Sequence, residues 1–195
     1  MNIAYNMDCL AAMREMPDDA FDLCIADPPY GIGLFTMNYT KEHDRKYGVQ
    51  AAQRRDYRHM SDWDVRPSQE CFDEIRRVSK KQIIFGGNYF TDLLPPSTSW
   101  LVWDKRVTDN MRNDFSDCEL AWMSKGLGVA RIFRFQWNGM IQGDMKNKED
   151  RWHPTQKPVA LYRWILNQYL PNGGGGTRSV FRKWIKPYRS LRCRN

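Results

Sequence analysis

The residues best suited to chemistry stand four in a row near the start of the chain: Asp27, Pro28, Pro29 and Tyr30. Two successive prolines fix the backbone and remove two amide donors, so the carbonyls of this turn can only accept hydrogen bonds. Asp27 adds a second acceptor, and Tyr30 adds a flat aromatic face. An exocyclic amine on a flipped nucleobase needs two such acceptors beside an aromatic plane. Held in this way, the amine nitrogen becomes pyramidal and can attack an electrophilic methyl group.

The elements around this tetrapeptide predict one α/β domain with a mostly parallel sheet. Residues 21–26 form an apolar run typical of a buried strand, which puts Asp27 at the strand's carboxyl end, where open α/β sheets bind ligands. The tetrapeptide also fits a rigid turn in which Asp27 is only a cap, so both interpretations stay open. The pattern predicts further strands over residues 83–85, 100–103, 119–123 and 131–137, and helices after Asp8, from Pro67 to about Ser79, and after Pro158.

A second motif precedes the last predicted helix and reads His153-Pro154-Thr155-Gln156-Lys157-Pro158. With this motif, the chain resembles the amino-methylating DNA methyltransferases in the permuted arrangement, where the catalytic motif comes first and the cofactor motif last. Residues 27–30 match that family's catalytic tetrapeptide, and residues 153–158 match its HPTQKP segment in the expected order. Residues 86–90 and 102–105 are also similar to phage and bacterial members. The resemblance covers about residues 1 to 170.

The resemblance implies a Rossmann-like, S-adenosylmethionine-dependent methyltransferase fold that is incomplete at the C-terminus. The implied activity is methylation of the N6 amine of a flipped adenine in double-stranded DNA, with Asp27, Pro28, Pro29 and Tyr30 as catalytic residues. The alternatives are an N4-cytosine methyltransferase and a non-catalytic DNA-binding remnant. A protein or RNA methyltransferase is disfavoured, because those with a comparable tetrapeptide usually carry Asn-Pro-Pro-Tyr after the cofactor motif.

The same resemblance implies a cofactor site. Asp8 would hold the adenosine end of S-adenosylmethionine, although Met7 stands where the family has a glycine. Thr155, Gln156 and Lys157 would line the methionine end, and His153 belongs to the same cofactor-binding motif. Lys157 beside a helix N-terminus is a suitable receiver for a carboxylate, and the alternative is an ordinary helix entry with a solvated lysine.

Residues 31–64 are predicted to be a long, polar, mobile loop. Its basic residues could neutralise DNA phosphates while the base is extruded, and they fit an ordinary solvated loop equally well. These residues are Lys41, Arg45, Lys46, Arg54, Arg55 and Arg58. Residues from about 101 to 150 are the predicted target-recognition part.

The end of the chain departs from the family, which continues after the last helix with a strand and a glycine-rich D-P-F-x-G-S-G loop. Residues 177–195 instead carry seven basic side chains and no acid, which accounts for the whole formal net charge of +7. Codons permitted for residues 178–189, read one base later, can spell D-P-F-S-G-S-G-S-S-R-I-A. The sequence therefore predicts a catalytic domain over residues 1–176 and a basic tail over 177–195 that is a frameshift product without regular structure.

Composition narrows the class of protein further. A hydrophobic content of 42% excludes a disordered chain, and no apolar run is long enough to cross a bilayer. The five cysteines contain no CxxC pair and the first residues lack a signal-peptide pattern, which favours a reduced, cytoplasmic setting. The three scattered histidines predict no metal site. The sequence does not specify an oligomeric state.

Overall fold

The computed structural model describes residues 7–33, 64–106, 116–138, 141–150, 155–170 and 180–184. A short 3₁₀ turn, Gly87–Tyr89, follows the second strand. The other elements are α1 (Cys9–Arg14), β1 (Leu23–Asp27), α2 (Gln69–Arg77), β2 (Gln82–Phe85), β3 (Trp100–Asp104), β4 (Cys118–Met123), β5 (Arg131–Arg134), β6 (Trp137–Asn138), β7 (Ile141–Gln142), α3 (Val159–Tyr169) and β8 (Val180–Trp184).

Six of the strands form one sheet in the order β5-β3-β4-β2-β1-β8, and β6 pairs with β7 in a separate hairpin. Strand β1 is parallel to both β2 and β8, and β3 is parallel to β5. Strand β4 runs antiparallel to both of its neighbours. The predicted α/β class is confirmed, but the sheet is mixed, because β4 pairs antiparallel with β3 on one side and β2 on the other.

Helices cover both faces of this sheet because the side chains of its buried strands alternate between two cores. Leu23 and Ile25 of β1 pack in the core that contains α3, whereas Cys24 and Ala26 pack in the core that contains α2. Asp27 follows Ile25 by two residues. The alternation therefore directs its side chain to the α3 face of the sheet, at the carboxyl end of β1.

Several boundaries differ from the predicted ones. Ser68 caps α2, so Pro67 precedes the cap and does not lie in the first helical turn. The predicted strand over residues 131–137 is two strands, because the chain leaves β3 after the Phe135 amide donates to the Asp104 carbonyl at 3.0 Å. The tail was predicted to lack regular structure, and this is wrong for Val180–Trp184, since β8 satisfies the backbone groups along the free edge of β1.

None of the described helices is long and apolar enough to cross a membrane. Within the same residues, no group of three or more His, Cys, Asp and Glu side chains is arranged to hold a metal ion. The described cysteines, Cys9, Cys24, Cys71 and Cys118, are not joined in disulfide bonds.

Candidate active site

The site lies where β1 ends and the chain turns through the two prolines. Pro28 and Pro29 are buried, and Asp27 and Tyr30 are half-buried. The carboxylate of Asp64 accepts hydrogen bonds from the amides of Gly31 at 2.9 Å and Gly33 at 2.8 Å. The two ends of the long segment between residues 33 and 64 are thus tied together directly beside the tetrapeptide.

The two carboxylate oxygens of Asp27 have different surroundings. Oδ1 accepts a hydrogen bond from the Lys157 ammonium at 2.6 Å and one from the Tyr30 hydroxyl at 3.2 Å. No hydrogen bond from the described residues reaches Oδ2, and the side chain is 24% exposed. One oxygen is therefore anchored inside the protein, and the other has no hydrogen-bond donor among the described residues.

Lys157 is the centre of a buried charge network. Its side chain is only 3% exposed, and its ammonium contacts Asp27, Glu119 Oε2 at 3.3 Å and the Tyr30 hydroxyl at 3.4 Å. The ring of Phe85 lies 4.7 Å from the ammonium, at cation–π distance. Sequence reasoning missed Glu119 and Phe85 as site residues. The available signal was an acid at the start of a predicted buried strand, where charge is rare unless paired.

The pKa values follow from this burial and pairing. Burial raises the pKa of Asp27, and Lys157 only partly opposes this rise. Burial acts to lower the pKa of Lys157, but the charges of Asp27 and Glu119 outweigh it and the pKa lies well above its ordinary value. Burial acts to raise the pKa of Glu119, and Lys157 and Lys105 outweigh it, so this pKa is lowered. Lys157 and Glu119 are therefore charged at neutral pH, and Asp27 is the group of the three whose neutral form burial favours.

An aromatic surface lies beside the carboxylate of Asp27. The rings of Tyr30 and Tyr89 stack with centroids 5.0 Å apart and an interplanar angle of 21°, and Tyr89 is exposed. Burial raises the pKa of the Tyr30 hydroxyl well above its ordinary value, which keeps it a donor to Asp27. The site thus presents a hydrogen-bond acceptor beside a fixed aromatic plane.

Gly86 makes room for the Tyr30 ring. It adopts a left-handed conformation with φ of +69°, and a Cβ at this position would overlap the ring. Gly86→Ala is expected to destabilise the fold by more than the roughly 1–2 kcal/mol of left-handed strain alone, because Tyr30 must also move. Urea unfolding measures the loss of stability.

Gly126→Ala is the matched control, because Gly126 has φ of +89° and nothing lies within 4 Å of its added Cβ. In a Tyr30→Ala background, the cost of Gly86→Ala should fall to that of the control. An equal cost of Gly86→Ala with and without the Tyr30 ring would show that the ring does not require the glycine.

The second motif is held in place by the β6–β7 hairpin and the residues after it. The Trp137 indole donates to the Gln156 carbonyl at 2.8 Å, and the Gln156 amide donates to the Asp150 carbonyl at 3.0 Å. Both carboxylate oxygens of Glu149 accept from the Val159 amide at 3.0 Å, at the start of α3. These contacts bring Lys157 against Asp27 across 130 positions of sequence.

The resemblance implies that Thr155, Gln156 and Lys157 line the methionine end of the cofactor, with the Lys157 ammonium and the amides of the following helix N-terminus as receivers of its carboxylate. In the structure, the ammonium of Lys157 points to three oxygens of the chain, and the first amide of α3 is bonded to Glu149. Both expected receivers of the methionine carboxylate therefore already hold oxygens of the protein itself. As arranged, Lys157 does not fit the role of carboxylate receiver.

The other predicted site residues are distributed as follows. Asp8 caps α1, with its Oδ1 accepting from the Ala11 amide at 2.8 Å, and no described contact links it to Asp27. Thr155 is exposed. His153 and the six basic residues of the long loop, Lys41, Arg45, Lys46, Arg54, Arg55 and Arg58, lie outside the described residues.

The sequence was compared with protein-family models and with curated proteins. No protein-family model matches the chain, and no curated protein matches it significantly.

Proposed function

We propose that this chain is a DNA methyltransferase chain that transfers a methyl group from S-adenosylmethionine to the N6 amine of a flipped adenine. The observation that carries the proposal is the carboxylate of Asp27, which adjoins the Tyr30–Tyr89 stack. Its Oδ1 accepts hydrogen bonds from Lys157 and Tyr30, and its Oδ2 receives none from the described residues. The methyl donor and the choice of adenine over cytosine rest on the resemblance.

The chemistry follows from the acceptors of the tetrapeptide. Oδ2 of Asp27 and a proline carbonyl accept the two N–H groups of the amine, and this withdraws its lone pair from the ring. Tyr30 stacks on the flipped base and offsets part of the cost of unstacking it from the duplex. The nitrogen must lose a proton after methylation. Asp27 is suited to accept that proton, because burial raises its pKa.

The layer order supports a Rossmann-like methyltransferase fold, with helices on both faces of the sheet and the site at the carboxyl end of β1. Strand β8, which follows α3, runs parallel to β1 with Trp184 opposite Asp27. Residues 178–184, which include β8, are the residues that the alternate frame replaces with D-P-F-S-G-S-G, so the proposal of a missing glycine-rich loop rests on the codons and not on this strand.

The test compares two forms of the protein: the chain as given, and the chain with its C-terminus restored in the alternate frame. Transfer of a labelled methyl group to DNA is measured for both, with Asp27→Ala as the negative control. We expect incorporation by the restored chain and none by its Asp27→Ala variant. No incorporation by the restored chain, or equal incorporation by the variant, would remove the proposal.

A second candidate is a non-catalytic, DNA-binding remnant, which is favoured by the occupied receivers at Lys157 and the start of α3. Calorimetric titration of the chain as given with S-adenosylmethionine separates the two candidates. Heat of binding supports the enzyme. Its absence, together with salt-dependent DNA binding, supports the remnant.

A further inference from the structure

Four charged side chains of the site, which come from four different parts of the fold, follow one another with alternating sign. Lys105, directly after β3, lies 3.4 Å from Glu119 of β4, and Glu119 lies 3.3 Å from Lys157. Lys157, directly before α3, lies 2.6 Å from Asp27 at the end of β1. Asp27 is therefore the last member of a chain of four charges that are largely buried, and its Oδ2 is the one carboxylate oxygen of this chain with no hydrogen bond or ion pair to a described residue.

The ammonium of Lys157 is held from several directions. It has three hydrogens, and three oxygens of Asp27, Glu119 and Tyr30 surround it, with the Phe85 ring on another side. A lysine fixed in this way cannot turn toward another ligand without leaving the partly buried Asp27 without its cation, which is costly. Its contacts include Asp27 and Tyr30, the two residues proposed to handle the base.

We propose that Lys157 and Glu119 are positioning residues for Asp27, with Glu119 fixing Lys157 and Lys157 fixing Oδ1 so that Oδ2 faces the target amine. The inference rests on the proposed function. It moves Lys157 from the cofactor to the base, and it adds Glu119, which no motif contains.

The two positioning residues act on Asp27 with opposite electrostatic sign. Among the described residues, the titratable and charged groups that face Asp27 are Tyr30, Lys157 and Glu119, with Lys105 behind Glu119. Lys157 lowers the pKa of Asp27, and Glu119 raises it. Removal of each residue should therefore move the titration of Asp27 in opposite directions.

The test is an NMR titration of the full chain labelled with ¹³C at the aspartate carboxyl carbons, with the Asp27 signal assigned by Asp27→Asn. We expect an Asp27 midpoint above the ordinary 3.8 in the unmodified chain. It should rise further in Lys157→Met and fall in Glu119→Gln. Matched controls are Lys80→Met and Glu70→Gln, which remove one member of an exposed ion pair and should leave the midpoint unchanged.

The inference is overturned if the titration midpoint of Asp27 does not change in Glu119→Gln. It is also overturned if that midpoint moves in the same direction in Glu119→Gln as in Lys157→Met. Glu119→Gln is close in shape to the original residue, so it decides the question even if Lys157→Met does not fold. General loss of structure would disturb every aspartate signal and would not give shifts of opposite sign at one residue.

The same variants in the frame-restored chain connect the titration to the reaction. The acid limb of the methylation pH profile should move down in Glu119→Gln, together with the Asp27 midpoint. If the acid limb of the pH profile does not move with the Asp27 titration midpoint, the positioning role is contradicted. A restored chain without any methyl transfer would remove the proposed function and leave the titration to decide the pairing of Asp27, Lys157 and Glu119.

Discussion

Asp27→Asn in the frame-restored chain is expected to lower methyl transfer to adenine by about 10²- to 10³-fold, the usual effect of losing one preorganised electrostatic partner of a transition state. Positive charge develops on the amine nitrogen as it is methylated, and a carboxylate stabilises that charge whereas a neutral amide does not. The amide also cannot accept the proton that the nitrogen releases. The substitution keeps the size of the side chain, so the effect reports the charge.

Labelled methyl incorporation into DNA measures this loss, and DNA binding at low salt checks that the variant still meets its substrate. Asp22→Asn is the control, because Asp22 lies just before β1 and pairs with the exposed Lys80 at 3.0 Å. We expect that control to retain its activity. A reduction of Asp27→Asn activity no larger than that of the control would show that Asp27 does not act on the amine.

Lys157→Met is expected to destabilise the fold by about 3–5 kcal/mol at neutral pH, because it leaves the partly buried Asp27 without its cation and leaves Glu119 with Lys105 alone. Methionine fills a similar volume, so lost packing contributes little. Double substitution of Lys157→Met with Glu119→Gln should recover part of the loss, since one of the two repelling charges is then removed. Lys80→Met, which breaks an exposed pair, should change stability little.

The pH dependence gives this prediction a second, signed test. The folded-state pKa of Lys157 is raised, so its stabilising contribution is complete below its ordinary pKa of 10.5 and is lost only as the pH rises well above that value. In the variant, the unpaired acids bind protons more readily in the folded state. The difference in stability between the two proteins should therefore be full at pH 7 and shrink as the pH falls toward the range where carboxylates protonate.

Urea unfolding at several pH values measures this difference. A constant difference between the unmodified chain and Lys157→Met from neutral to acid pH would mean that the loss is one of packing. In that case, the ion pairs of Lys157 would not be what holds the site together.

Much of the fold could be predicted because its signals are local. The apolar run of residues 21–26 and the helical spacing after Pro158 depend on near neighbours in sequence, and both produced elements close to the predicted ones. The split of residues 131–137 into β5 and β6, and the formation of β8, depend on which strand edges need backbone partners. Strand order and direction decide this, and no short stretch of sequence records them.

The residue types alone establish the chemistry available at the site: a carboxylate, two proline carbonyls and an aromatic ring at the end of a buried strand, followed by a lysine before a helix. Which of these groups meet depends on how the elements pack. The strand pairings and the packing of α3 bring Lys157 to Asp27, and the antiparallel β4 brings Glu119 to both. Residue types and local spacing set what a group can do. The partner of a buried charge depends on strand order and helix packing, which here bring Lys157 to Asp27 from 130 positions away.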